Sequence, residues 1–167
     1  MSTETEEMMA TKPESEHEWL QNLVGEWRTE TEMTMGPGGE KANSTGTEKV
    51  ISLGGLWAFG EGKGDMPDGS TMDYRTALGY DVSFKEYRGC WFASVSSHLW
   101  KYVGELSEDG KTMTLNCEGP DMVNEGKTAQ YRDVIEIIDA NTRTLTSYFT
   151  GENGEFQEMM KCTYTRV

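Results

Sequence analysis

Residues 23–35 read Leu-Val-Gly-Glu-Trp-Arg-Thr-Glu-Thr-Glu-Met-Thr-Met, and the periodicity of the chain changes inside this stretch. Before Gly25, apolar residues recur at the spacing of a helix, beginning at Trp19. After Gly25, residues at Trp27 and every second position share one face, while Arg28, Glu30 and Glu32 share the other. This alternation predicts a half-buried β-strand that follows a short helix.

The short helix has its own start signal. Ser15 is expected to cap the helix, with Glu18 completing a capping box. His17 lies between two glutamates and is expected to be exposed. Residues 1–13 are polar and acidic, and we expect a disordered tail there, followed by one domain over 14–167.

The alternating pattern continues to the end of the chain. Tight-turn dipeptides such as Asp109-Gly110 and Asn153-Gly154 separate the alternating runs, as in β-hairpins. The further predicted strands are 43–53, 57–66, 71–81, 86–95, 98–107, 112–118, 128–139, 143–150 and 156–166. We therefore predict an all-β fold, an antiparallel up-and-down barrel of about ten strands with a short N-terminal helix. Closure removes the sheet edges and leaves a lumen wide enough for a small molecule.

Charge and composition exclude several partners. The net charge of −14 disfavours nucleic acid and anionic membrane surfaces. No window has the apolar length of a membrane span, and the N-terminus lacks a basic start followed by an apolar stretch. We expect a soluble cytoplasmic protein, and leave open whether it forms a homo-oligomer.

The counts of cysteine and histidine argue against metal and cofactor chemistry. Three separated cysteines without a CxxC pair favour free thiols over a disulfide framework or a zinc site. Two histidines are too few for a multi-histidine site. Gly60, Gly62 and Gly64 lie in a strand pattern with no helix after them, so they do not form a nucleotide fingerprint. We expect no metal and no cofactor.

Gly25-Glu26-Trp27, which follows the helix and opens the first strand, resembles the Gly-x-Trp element of lipocalin-type barrels. The resemblance implies that Trp27 plugs the closed end of the barrel and that the helix covers it. More of the chain, about residues 14–166, resembles the uncharacterised bacterial domain-of-unknown-function 1579 family, a lipocalin-like (calycin) β-barrel. The stretches that carry this resemblance are residues 16–20, 23–27, 33–39, 52–57, 78–81, 97–100 and 131–136. It implies the fold and supplies no activity.

Strand parity indicates which side chains face the lumen, because charged residues mark the outer face. Lys101 and Glu105 mark the outside of one strand, for example, and place Trp100 and Tyr102 inside. Val95 is also placed inside by this rule. The candidate ligand-binding residues are Tyr74, Trp91, His98, Trp100, Tyr102, Tyr131 and Asp133. Strands 44–52, 57–66 and 143–150 show no clean parity, and their faces stay unassigned.

Three functions remain open on these observations. The leading hypothesis is a non-enzymatic protein that binds a small, mostly apolar or amphipathic molecule in the lumen. The second is a cofactor-free enzyme in which Asp133 orients His98 as a base beside the lumen tyrosines. The third is a structural or oligomeric barrel with a packed interior and no ligand.

Haem binding is expected to be absent or weak. The chain also resembles, more distantly, the nitrobindin-type haem barrels, whose iron ligand is a histidine late in the chain, but no histidine follows His98 here. Trp100 and Tyr102 share the predicted face of His98 and crowd it. Titration with hemin should give no tight, stoichiometric Soret shift. A tight shift that disappears in His98→Ala would contradict this expectation.

Overall fold

The structure is a computed structural model that describes residues 10–35 and 39–167. Residues 10–13 of the predicted tail are exposed, and the rest of that tail lies outside the described residues. Residues 36–38 also lie outside the described residues. In the described part of the chain, no helix is long and apolar enough to cross a membrane.

The described residues form two short helical turns and ten strands. Their bounds are α1 Ser15–Glu18, a 3₁₀ helix Trp19–Leu23, β1 Gly25–Met35, β2 Glu40–Leu53, β3 Trp57–Asp65, β4 Thr71–Asp81, β5 Glu86–Ala93, β6 Trp100–Leu106, β7 Thr112–Pro120, β8 Thr128–Asp139, β9 Thr142–Thr150 and β10 Phe156–Arg166. Each strand pairs antiparallel with the next, and β1 also pairs with β10. The prediction of a closed, ten-stranded up-and-down barrel with a short N-terminal helix is confirmed.

The loop between β5 and β6 is longer than predicted, because β5 ends two residues early and β6 begins two residues late. β5 ends at Ala93, so Val95 lies in the following loop, where it is 55% exposed. The placement of Val95 inside the barrel was therefore wrong. β6 begins at Trp100, which leaves His98 in the same loop. The alternation of the sequence runs on past the last strand hydrogen bond, so parity alone could not locate these strand ends.

The seam between β1 and β10 closes the barrel. Trp27 lies opposite Arg166 and Met33 lies opposite Met160 in this pairing. Arg166 also donates from Nη1 to the carbonyl oxygen of Val24 at 2.6 Å. A charged donor on the last strand therefore holds the chain where it enters the first strand.

One end of the barrel is covered by α1 and the 3₁₀ helix. Trp19, Leu20 and Leu23 are buried there. The indole nitrogen of Trp19 donates to the carbonyl oxygen of Gly110 at 2.8 Å, and that of Trp27 donates to Leu23 at 2.8 Å. These bonds satisfy both buried indole donors, so the cap can be apolar without leaving an unpaired N–H group.

His17 is buried, and the expectation that it is exposed was wrong. Its exposed fraction is 1%, because α1 lies across the barrel end and turns His17 towards β4. Nδ1 accepts from the backbone N–H of Glu14 at 2.8 Å, so Nε2 carries the proton donated to the Tyr80 carbonyl at 3.1 Å. Glu14, not Ser15, occupies the cap position of the helix.

Truncating the cap should destabilise the whole barrel. Leu20 is 1% exposed, so Leu20→Ala should lower the free energy of unfolding by about 2–5 kcal/mol through lost burial and a cavity. Urea unfolding followed by circular dichroism measures the change. Leu53→Ala, at a position 48% exposed, is the control and should cost less than about 1 kcal/mol. Equal losses in the two variants would mean that the helical segment is not a structural plug.

Candidate functional site

The lumen contains an internal cavity of about 60 Å³ next to the closed end. Strands from all parts of the barrel and the 3₁₀ helix contribute to its wall. The apolar part of the wall comes from Leu23, Val50, Ala58, Leu78, Trp91, Leu115, Ile135 and Leu145. The polar part comes from Glu48, Tyr74, Thr76, Tyr102, Arg143 and Tyr164.

Two of these polar residues form a buried ion pair. Glu48 on β2 and Arg143 on β9 are 5% and 3% exposed, and the nearest distance between Arg143 Nη2 and Glu48 Oε2 is 3.8 Å. The phenol of Tyr74 donates to the same carboxylate oxygen at 2.9 Å. Glu48 is therefore both charge-compensated and hydrogen-bonded, which a buried carboxylate requires.

The guanidinium of Arg143 is held by aromatic rings. Its central carbon lies 3.8 Å from the ring centre of Tyr164 and 4.6 Å from that of Trp27, which is cation–π distance. Residues 10–35 and 39–167 provide no hydrogen-bond partner for the buried Nε of Arg143. The cavity is thus bordered by a fixed cation with a donor that the described residues do not satisfy.

The glycines of β3 make space for this cluster. A Cβ at Gly60 would lie 2.6 Å from Oε1 of Glu48 and 2.8 Å from a methyl carbon of Thr76. A Cβ at Gly62 would overlap the ring of Tyr74. The repeated glycines therefore allow a carboxylate and a phenol ring to lie directly on the strand backbone.

A second polar cluster lies on the lumen face around Asp133. Its two carboxyl oxygens accept from the hydroxyls of Tyr102 at 2.5 Å and Ser147 at 2.6 Å. Burial raises the pKa of Asp133 above its usual value, although both hydroxyl groups act in the opposite direction. Burial likewise raises the pKa of Tyr102 and Tyr164 well above the usual range, so both phenols stay protonated at neutral pH.

The remaining predicted residues lie at or towards the open mouth. The Nε2 atom of His98 is 3.0 Å from the carbonyl oxygen of Glu118, and its ring meets that of Trp100 edge-on at 4.7 Å. Trp100 packs in the same way against Tyr131 at 4.8 Å, and the Tyr131 phenol donates to the Pro120 carbonyl. These contacts connect the loop after β5 to β6, the end of β7 and β8.

The structure divides the seven sequence candidates into three places. Tyr74 and Trp91 stack on each other at 5.6 Å and border the cavity. Tyr102 also borders the cavity and bonds Asp133, while His98, Trp100 and Tyr131 form the aromatic group at the mouth. His98 and Asp133 do not bond each other, since each has other partners.

The sequence candidates left out four polar residues of the cavity, which are Glu48, Thr76, Arg143 and Tyr164. Glu48 and Arg143 lie on β2 and β9, whose faces strand parity left unassigned. They stayed unassigned because one charged residue on each of these strands points into the lumen. Opposite charges on two strands that both break the alternation were the available signal. No sequence pattern distinguished Tyr164, because a tyrosine that faces inward is also common in an ordinary hydrophobic core.

One buried thiol is neutral, and the described residues contain no metal-binding cluster. Burial raises the pKa of the Cys117 thiol to about 12, so it is neutral at pH 7. Within the described ranges, no group of three or more histidine, cysteine, aspartate or glutamate residues is arranged to hold a metal ion.

Replacing Asp133 should change the dependence of stability on pH. A carboxyl with a raised pKa stabilises the fold in its protonated form, and this contribution is lost as pH rises through that pKa. Asp133→Asn cannot ionise, so it should gain stability relative to wild type as pH rises above the usual pKa of a carboxyl group. Urea unfolding at several pH values tests this. Glu136→Gln, at an exposed position of the same strand, is the control. A difference between Asp133→Asn and wild type that does not change with pH would contradict the assignment.

Comparisons with known proteins support the fold and the family. The chain is similar to the crystal structure of Rv2717c from M. tuberculosis, with a TM-score of 0.65, 12% identity, and coverage of 93% of this chain and 99% of that one. It is also similar to EF1p2_mFAP2b bound to DFHBI, with a TM-score of 0.49, 12% identity, and coverage of 92% and 100%. No curated protein matches the sequence. The family model described as "Protein of unknown function (DUF1579)" matches residues 12–166, and the chain belongs to that family.

Proposed function

We propose that this protein binds a small, mostly apolar molecule with one polar end in the lumen of its barrel, without catalysing a reaction. The observation that carries the proposal is the internal cavity, whose wall is apolar on most sides and polar on one. Apolar walls with a few fixed polar groups are typical of small-molecule sites, since the walls supply affinity and the polar groups fix orientation.

The size of the cavity limits the ligand. A cavity of roughly 150 Å³ can hold benzene, and drug-sized ligands occupy roughly 300–1,000 Å³. At about 60 Å³, the cavity of this barrel fits a molecule of about four non-hydrogen atoms. Fatty acids and haem would require the packed aromatic residues of the mouth to move.

The enzymatic alternative has less support. It relied on His98 as a base oriented by Asp133, but Asp133 bonds two hydroxyl groups and His98 contacts a backbone carbonyl at the mouth. General-base catalysis needs the base within hydrogen-bond reach of the substrate. His98 is outside the residues that border the cavity.

A reducing compartment, such as the cytoplasm, is part of this proposal. The three cysteines are free, with Cys117 and Cys162 buried in the barrel and Cys90 half-buried. Free thiols are typical of proteins in reducing compartments, where disulfides are rare.

The proposal is tested with the indole N–H resonances of the tryptophans. Hydrocarbons, alcohols and ketones of about four non-hydrogen atoms are titrated, and NMR should show a saturable shift for Trp91 at the cavity. Trp57, which is 44% exposed on the outer wall, is the internal control and should not move. The single substitutions Trp91→Phe and Trp57→Phe each remove one indole N–H resonance and so assign the two signals.

Ala58→Val supplies the second arm of this experiment. Ala58 is buried and borders the cavity, and two added methyl groups fill much of its volume. The variant should keep a cooperative thermal transition and lose the saturable shift. The proposal fails if no compound shifts Trp91, or if Ala58→Val binds as well as wild type.

A further inference from the structure

Arg143 is a buried cation whose hydrogen-bonding capacity exceeds what surrounds it. A guanidinium has five N–H donors, and burial makes each one that lacks an acceptor unfavourable. Nε has no partner among the residues that the structure describes. The contact with Glu48 is 3.8 Å, which compensates charge but is too long for a hydrogen bond.

The position of the guanidinium is fixed independently of any ligand. The rings of Trp27 and Tyr164 lie against it, and both are buried. A donor held by packing is preorganised, so the Arg143 side chain loses little conformational entropy when an acceptor binds to it. Arg143 borders the cavity, where such an acceptor can reach it.

The charges in the lumen select a neutral ligand. Glu48 and Arg143 compensate each other, and Asp133 lies on the lumen face without a cation among its hydrogen-bond partners. An anionic ligand would add a second negative charge beside Glu48 in a region away from water. A cationic ligand would leave a positive charge uncompensated, and both cases carry the desolvation penalty of a buried ion.

The donors and acceptors select the functional group. The Tyr74 hydroxyl donates to Oε2 of Glu48. The buried side-chain atom that the described residues leave without a partner is a donor, Nε of Arg143, and most of the cavity wall is apolar. A ligand that accepts a hydrogen bond and is otherwise apolar therefore matches this site.

We propose, on the basis of the lumen-binding function above, that the ligand is a small neutral carbonyl compound whose oxygen accepts a hydrogen bond from Arg143. Its alkyl groups contact the apolar wall, which includes Val50, Ala58 and Leu115. With about four non-hydrogen atoms, its affinity is weak, on the order of millimolar.

Three planar molecules of the same shape test this assignment. Acetone, isobutene and acetate each consist of four non-hydrogen atoms, a trigonal carbon and its three substituents. They differ in having a neutral acceptor, no acceptor and a charged acceptor. Each is titrated into the full chain while NMR follows the indole N–H of Trp91 and the Nε–H of Arg143. We expect acetone to bind about tenfold more tightly than isobutene, to shift the Nε–H signal, and acetate not to saturate.

Arg143→Lys separates the geometry of the donor from the charge. Lysine retains a positive charge, but its ammonium group lacks the planar guanidinium that packs against Trp27 and Tyr164, so its donors lie elsewhere. Acetone should therefore lose most of its advantage over isobutene, while isobutene still binds. Arg132→Lys is the matched control, because Arg132 lies on the neighbouring strand and packs on Phe156 outside the lumen lining. It should leave the preference unchanged.

The outcomes distinguish this inference from the proposed function. If isobutene binds as tightly as acetone, or acetate binds most tightly, the assignment of a neutral carbonyl compound is overturned while lumen binding stands. If none of the three shifts Trp91, lumen binding itself fails. Should Arg143→Lys not fold, the wild-type series decides the question, since acetone binding without a change at the Arg143 Nε–H contradicts the inference.

Discussion

The packing of Trp27 connects the closure of the barrel to the site inside it. The Arg166 guanidinium lies 4.2 Å from the indole ring, and the Arg143 guanidinium lies 4.6 Å from it. The indole nitrogen bonds the carbonyl of Leu23, and Arg166 bonds that of Val24. One aromatic ring therefore holds the end of the 3₁₀ helix, the last strand and the cation of the cavity in fixed relation.

The position of Glu48 follows from this arrangement. Glu48 lies opposite Trp27 in the pairing of β1 with β2, and Arg143 lies opposite Tyr164 in the pairing of β9 with β10. The two charged residues thus approach each other across two intervening strands, with the aromatic rings between them. Gly60 then leaves room for the carboxylate on the next strand. Strand register, once set by the seam, determines which polar groups meet in the lumen.

The fold could be predicted from the sequence because its signals are local. Hairpin dipeptides and alternation act over a few residues, and they located all ten strands to within a few positions. Facing was readable where charges stood on one parity only, as beside Tyr102. It was unreadable on β2 and β9, because Glu48 and Arg143 place charges on the inner face. The same rule that assigns ordinary strands fails where the interior carries charge.

His17 illustrates a second limit of the sequence. Its neighbours Glu16 and Glu18 make the segment look exposed, and a four-residue helix is too short for its pattern to define a buried face. Burial of His17 depends on the carbonyl of Tyr80, which is 63 residues away in the chain. A contact of this kind exists only after the barrel has closed, so no local pattern could indicate it.

The buried charges are the part of the structure that stability explains least. Replacing a buried ion pair by well-packed apolar side chains is often neutral or stabilising, by roughly 1–4 kcal/mol. Here the arrangement also includes two strand glycines that make room for it and a guanidinium nitrogen that the described residues leave unpaired. Packing at Trp27 explains why the guanidinium is held in place, but packing needs no charge. Under the proposed lumen binding, the charge has a use, because an acceptor that enters the cavity pairs with the donor that burial has left over.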